Sequence, residues 1–141
     1  MGKHLVFVGG GHAHMTSLKN LSYFKTLGHQ VTLISSSPYH YYSGMGPGML
    51  SGIYHPWEVR FHVKRLAEDR GATFIKGKAI KVDPLQHLLF LDSGGKVHYD
   101  VVSFNTGSEV PIESLTKASE DNLFPVKPVI NLLKARQTIL E

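Results

Sequence analysis

Leu5-Val6-Phe7-Val8 is an apolar run of strand type that ends on three consecutive glycines, Gly9-Gly10-Gly11, and this junction constrains the chain more than any other segment. A run so short and so apolar suits a strand covered on both faces, and residues without a Cβ suit a tight reversal. Beyond the glycines, Met15, Leu18, Leu21 and Phe24 recur at a spacing of about 3.6 residues, which predicts a helix over 12–27 with Gly28 as its stop. Gln30-Val31-Thr32-Leu33-Ile34-Ser35 then reads as a second buried strand. Strand, glycine turn, helix and strand make a βαβ unit, so an α/β fold with a parallel sheet and a right-handed crossover is expected.

The stretch over 35–52 has neither helical nor strand period and is rich in Ser, Gly, Pro and Tyr, a composition that suits a functional loop. Residues 56–70 are expected to be helical, with Pro56 in the first turn, Val59, Val63, Leu66 and Ala67 on one face, and Gly71 closing the element. Four short strand-like runs follow: Thr73-Phe74-Ile75, Ala79-Ile80-Lys81-Val82, Leu88-Leu89-Phe90-Leu91 and Val101-Val102-Ser103-Phe104. With turns at Asp83-Pro84 and Asp92-Ser93-Gly94-Gly95, they predict a small antiparallel meander. A polar, proline-containing stretch follows Gly107, and a helix is expected from Val129 to Leu140. The length of 141 residues is that of one domain. The expected division is a nucleotide-binding part over 1–110 and a linker with a helix over 111–141.

A glycine turn between a strand and a helix has a specific chemistry. One glycine allows the reversal, a second lets the backbone approach a pyrophosphate, and the helix N-terminus offers N–H groups and partial positive charge to the anion. The alternative is that the glycines only shape a tight βα turn. In the pattern Gly-x-Gly-x-x-Gly the third glycine falls at His14, preceded by the small Ala13. That glycine normally lets helix and strand pack closely, so His14 is a departure. An acidic residue usually ends the second strand and binds ribose hydroxyls, but here Ser35, Ser36 and Ser37 stand in its place. Serine hydroxyls can bond a ribose without the charge of a carboxylate. No arginine follows the strand to favour a ribose phosphate.

Composition removes several alternatives. With no cysteine, disulfides, thiolate metal sites and a cysteine redox relay are excluded within the chain. No apolar run approaches the roughly 20 residues of a membrane span, so a cytoplasmic chain is expected, with peripheral attachment to a membrane left open. A net charge of +4 suits an anionic ligand as well as a solvated surface, and no stripe of lysine or arginine alternates with aromatics as in a nucleic-acid binder. The 9 histidines do not form the paired, carboxylate-backed spacing of a helix-borne zinc site, so no metal is expected. His12 and His14 lie either beside ligand phosphates or packed at the helix start. Ser43-Gly44 lacks the strand-to-helix elbow of a hydrolase. Tyr39, Tyr41, Tyr42 and Trp57 are expected to be packing aromatics before flavin-stacking ones.

Several stretches together resemble a known superfamily. The segment from Lys3 through Gly9-Gly10-Gly11-His12-Ala13-His14 resembles the N-terminus of the FAD-dependent pyridine nucleotide-disulfide oxidoreductases, nearest to type II NADH dehydrogenase-like and sulfide:quinone reductase-like flavoproteins. Val31-Thr32-Leu33-Ile34-Ser35-Ser36-Ser37-Pro38-Tyr39-His40 is similar to the second strand and the following segment of that branch. Tyr99-Asp100-Val101-Val102-Ser103-Phe104-Asn105-Thr106-Gly107 resembles the strand that closes its FAD site. The resemblance implies a Rossmann-like FAD/NAD(P)-binding domain, a parallel sheet with helices plus a small antiparallel meander, incomplete relative to the family. It implies FAD as cofactor, with Gly9, Gly10, Gly11, His12 and Ala13 at the pyrophosphate and Ser35 and Ser36 at the adenosine ribose. Lys78 and Ala79 would meet the adenine, Ser43, Gly44 and Met45 the ribityl chain or ring, and Thr106-Gly107 the pyrophosphate side. It further implies hydride transfer from NADH to flavin and electrons onward to a quinone-like acceptor. The second glycine fingerprint, for NADH, is absent from these residues, so NADH binding and turnover are expected only in a longer parent, itself open to peripheral membrane association. The alternative is a stand-alone nucleotide-binding or assembly module. Apolar surface left by absent strands makes a homodimer an expectation.

Overall fold

The computed structural model describes residues 1–111 and 123–140. Chain contacts divide it into two units, one formed by Met1–His40 and His62–Thr106, the other by Tyr41–Phe61 and Gly107–Glu141. Most of the polar stretch expected after Gly107 falls on residues 112–122 and lies outside the described residues.

The first unit opens with strand β1 (His4–Val8), the glycine turn, helix α1 (His12–Lys19), helix α2 (Leu21–Thr26) and strand β2 (Gln30–Ser35). The expected single helix over 12–27 is thus two. Asn20 breaks it by turning its carboxamide back on the Thr16 carbonyl at 2.9 Å, and asparagine side chains compete with the helix for such groups. Gly28 stops the second helix at φ +78, as its position predicted.

The division falls within strand β3 (His40–Tyr41), and the second unit continues with a 3-10 turn over Ser43–Met45, helix α3 (Gly46–Leu50) and strand β4 (Arg60–Phe61). Helix α4 (Val63–Glu68) then returns the chain to the first unit. The expected helix over 56–70 is therefore only its last part. Val59 belongs to one core, with Met49 and Leu132, whereas Val63 and Ala67 belong to another, with Phe7 and Leu33. One apparent apolar face was two half-patterns joined. Glu58 closes a local turn instead, its carboxylate accepting from the His55 N–H at 2.6 Å, and His62 caps α4 by accepting from the Arg65 N–H.

Strands β5 (Thr73–Lys76), β6 (Ala79–Asp83), β7 (Leu88–Leu91), β8 (Lys96–His98) and β9 (Val101–Phe104) complete the first unit. Its main sheet is parallel, in the order β5-β2-β1-β9. The antiparallel meander is β6-β7-β8 alone. The runs at 73 and 101 therefore flank the meander and join the parallel sheet, while the brief Lys96-Val97-His98 strand, with one half-buried residue, was too short to read. Phe7, Val31 and Leu33 pack toward the helices, and Val6, Val8 and Ile34 toward the meander, so both sheet faces are covered. This explains why β1 and β2 read as continuous apolar runs. Helix α5 (Ile130–Leu140) packs in the second unit, where Arg136 donates to the carbonyls of Met49 and Tyr54 at 3.0 Å each. Among the described residues no helix is long and apolar enough to cross a membrane.

One charge fixes the start of the parallel sheet. The Asp100 carboxylate accepts from the His4 N–H at 2.6 Å. That bond holds its pKa below the ordinary 3.8, aided by the charges of His98, Lys3 and His4 and opposed by some desolvation. A depressed carboxylate stabilises the fold above its unfolded value, and the contribution fades as pH falls through the folded one. The stability difference between the wild type and Asp100→Asn should accordingly be largest above pH 3.8 and shrink on further acidification in urea titrations. A difference that stays constant with pH would remove this assignment.

Candidate functional site at the glycine turn

Three strand ends and one helix start converge at the turn. Gly9, at φ +89, donates to the Ile34 carbonyl at 2.7 Å; Asn105 donates to the Val8 carbonyl at 2.8 Å. Gly11 donates in turn to the Asn105 carbonyl at 3.2 Å, so the segment after β9 is laced to the turn. A Cβ at Gly9 would overlap the Asn105 carbonyl, and one at Gly11 would overlap the Asn105 carboxamide. At Gly10 it would sit 3.1 Å from a Val63 methyl carbon. Close approach of the protein to itself thus accounts for Gly9 and Gly11, and the glycines alone do not distinguish a ligand site from a tight turn.

The helix start carries more information. Gly11 is the N-cap of α1 and supplies no side-chain cap, and the first turn holds no acidic residue. The eight-residue helix therefore presents an uncompensated positive end at the C-terminal edge of the sheet. His12 and Ala13, its first residues, are exposed.

His14 takes no part in that surface. It is 4% exposed, with Nδ1 2.7 Å from the Gly9 carbonyl oxygen, Nε2 2.9 Å from Ser103 Oγ, and its ring at 5.0 Å edge-on to Phe7. A carbonyl only accepts, so Nδ1 bears a proton, and in the neutral ring Nε2 accepts from the serine hydroxyl. Where the fingerprint places a glycine for close packing, this chain uses an imidazole as a tie between turn and β9. The packing reading of His14 is the one observed.

The other expected residues fall in different surroundings. Ser35 is half-buried at the end of β2, Ser36 is exposed, and Ser37 accepts from the Tyr39 N–H at 3.1 Å. Lys78 is exposed and its N–H donates to Asp92 Oδ1 at 3.0 Å; Ala79 opens β6. Thr106 is the last residue of the first unit, and Gly107, at φ +85, the first of the second unit's later segment. Ser43, Gly44 and Met45 belong to the second unit, where Met45 packs against the Met49–Val59–Leu132 core. The Tyr39 ring meets His62 at a tilt, 4.5 Å between centroids, Tyr42 meets Phe61 at 6.4 Å, and Trp57 stacks on His55 at 4.2 Å. His40 is held below the usual histidine range by burial and by the charge of His12. Among the described residues no group of three or more potential metal ligands comes together.

Sequence reasoning passed over Asn105. Its Oδ1 is buried without a hydrogen-bond partner, a state that costs about 1–3 kcal/mol. The clue was its place, immediately before Thr106-Gly107. A cavity of about 420 Å³, lined by His4, Lys25, Gln30 and Thr73 among others, lies at the opposite, N-terminal edge of the sheet and is separate from the turn.

No family model matches the chain. It is 29% identical to the sulfide-quinone reductase of Aquifex aeolicus over 111 residues, 78% of this chain and 25% of that protein. Among solved structures it resembles the sulfide:quinone oxidoreductase of the same hyperthermophile, with TM-score 0.83 and 24% identity over 99% of this chain and 32% of that one. It also resembles Plasmodium falciparum NDH2 in complex with NADH, with TM-score 0.79 and 18% identity over 99% of this chain and 29% of the other. The water-forming NADH oxidase of Lactobacillus brevis, bound to NADH, gives TM-score 0.78 and 17% identity over 99% and 33%. The chain thus spans about a quarter of the curated relative it matches.

Proposed function

We propose that this chain, which carries the Rossmann-like fold of the FAD-dependent pyridine nucleotide-disulfide oxidoreductases, is the FAD-binding part of a flavin-dependent NAD(P)H oxidoreductase. The observation that carries the reading is the uncapped positive end of α1, set directly over the glycine turn at the C-terminal edge of a parallel sheet. In open α/β sheets that edge is where ligands dock.

The residues fit the cofactor's ends. Gly9, Gly10 and Gly11 with the backbone of His12 and Ala13 would hold the pyrophosphate, compact enough for a close approach of main chain to anion. Ser35 and Ser36 would bond the adenosine ribose, and the backbone at Lys78 and Ala79 would face the adenine. The resemblance assigns Ser43, Gly44 and Met45 to the flavin end and Thr106-Gly107 to the pyrophosphate side. A bound flavin supplies acceptance of a hydride and release of electrons to a second substrate. The contribution of this chain is grip and orientation. NADH binding and the quinone-like acceptor are proposed for a longer protein.

The purified chain should be yellow, or should take up FAD with a visible flavin spectrum and a raised melting temperature. Alone, it should oxidise NADH no faster than free FAD does. A colourless chain whose melting temperature ignores both FAD and ADP would end this reading. Turnover of NADH well above the free flavin would place the catalytic machinery within these residues and overturn the division of labour.

A further inference from the structure

The backbone of Asn105 is fixed by the glycine turn on both sides. Its N–H donates to the Val8 carbonyl at 2.8 Å, and its carbonyl accepts from the Gly11 N–H at 3.2 Å. The side chain so placed lies against Gly11, the N-cap of α1, where an added Cβ would overlap Oδ1 and stand 2.6 Å from the carboxamide carbon. Oδ1 is buried with no hydrogen-bond partner, and among the described residues the amino group donates to none either. A carboxamide carries two donor hydrogens and an acceptor oxygen, so this one leaves its whole hydrogen-bonding capacity unused within the unit. An alanine would fit the same backbone without the cost of the orphaned oxygen.

Charge accounts for the end that faces inward. The first turn of α1 holds no acidic residue and no side chain caps it, so its positive end favours the carboxamide oxygen over the amino group. An anion at that helix end reverses the preference. Oxygen and amino group are nearly equal in size, and half a turn about Cβ–Cγ exchanges them. The amino group then stands where Oδ1 stood and donates to the anion.

We infer that Asn105 is a side-chain ligand for the diphosphate of a bound dinucleotide, its carboxamide facing Gly11 by the oxygen in the ligand-free chain and by the amino group once the anion is in place. The inference rests on the reading of the turn as a dinucleotide site. It adds a side-chain donor to a grip otherwise assigned to the backbone around the glycines.

Calorimetric titration of FAD and of ADP into the wild type and Asn105→Ala, with thermal unfolding of each ligand-free protein, tests it. Asn105→Ala should melt at or above the wild type, because the orphan is gone, yet bind FAD and ADP each about tenfold more weakly. Asn105→Asp, almost the same in shape but without a donor, should bind both more weakly still, since its carboxylate repels the diphosphate. In isotope-labelled wild type, the side-chain amide signals that Asn105→Ala lacks should move on adding ADP and stay in place on adding adenosine. An alanine variant that melts below the wild type and loses affinity would make Asn105 a structural tie and overturn the inference. Unchanged ADP affinity in Asn105→Ala overturns it as well, whatever happens to FAD, and so does full affinity in Asn105→Asp. If the wild type binds neither FAD nor ADP, the dinucleotide reading itself falls.

Discussion

Gly9→Ala should lower the unfolding free energy by about 3 kcal/mol or more, while Gly28→Ala should cost only about 1 kcal/mol. The two positions share a left-handed backbone, φ +89 and φ +78, so the strain of placing a Cβ there is similar. They differ in what the Cβ meets. At Gly28 nothing lies within 4 Å. At Gly9 the added carbon overlaps the Asn105 carbonyl oxygen and lies 2.6 Å from its carbon and 2.8 Å from Thr106 Cα. Those atoms are backbone and cannot rotate aside. The turn is also held from two directions, by Gly9 N–H to Ile34 and Asn105 N–H to Val8. Relief therefore requires separating the end of β9 from the end of β1. Urea unfolding of both variants makes the comparison, and equal losses would show that conformation alone, not close approach, requires the glycine.

The βαβ core was legible because its signals are local. Apolar strands flank a glycine run, helical spacing follows, and Gly28 ends it, all within consecutive residues. The segment over 56–70 misled for the opposite reason. Val59 and Val63 share a helical spacing but fill different cores, and no local pattern says which core a valine enters. The strand runs at 73 and 101 were visible as strands but not as members of the parallel sheet, because sheet membership is settled by pairing across long separations.

The candidate site divides in the same way. Gly9, Gly10 and Gly11 announced themselves, yet the groups that explain them, Asn105 and Val63, lie far along the chain. Ser35 was noticed at the place of a missing carboxylate, while Lys76 came to stand opposite it only through the register of β5 on β2. A fingerprint is contiguous in sequence; the surfaces that complete it are contiguous only in space.

His14 gives the sharpest conflict between pattern and packing. By pattern, His14→Gly restores a complete Gly-x-Gly-x-x-Gly and should be harmless. By packing, it removes a buried ring with two hydrogen bonds and an edge contact to Phe7. His14→Ala should cost about 3 kcal/mol, from the cavity and from the Gly9 carbonyl and Ser103 hydroxyl that lose their partner. Glycine should cost about 1 kcal/mol more, since it also weakens the helix. Ser103→Ala should cost about 1–2 kcal/mol, because it strands only one ring nitrogen, and β9 is exposed at that residue. His14→Gln should recover part of the loss, as its amide can still donate to Gly9 and its oxygen still accept from Ser103. Loss of the tie frees the carbonyl that sets the turn, so FAD affinity should fall in the same order, Gly below Ala below Gln. Chemical denaturation and flavin titration of this series decide the matter. A glycine variant as stable as the wild type and equally able to bind FAD would show that the histidine merely fills space the fingerprint can do without.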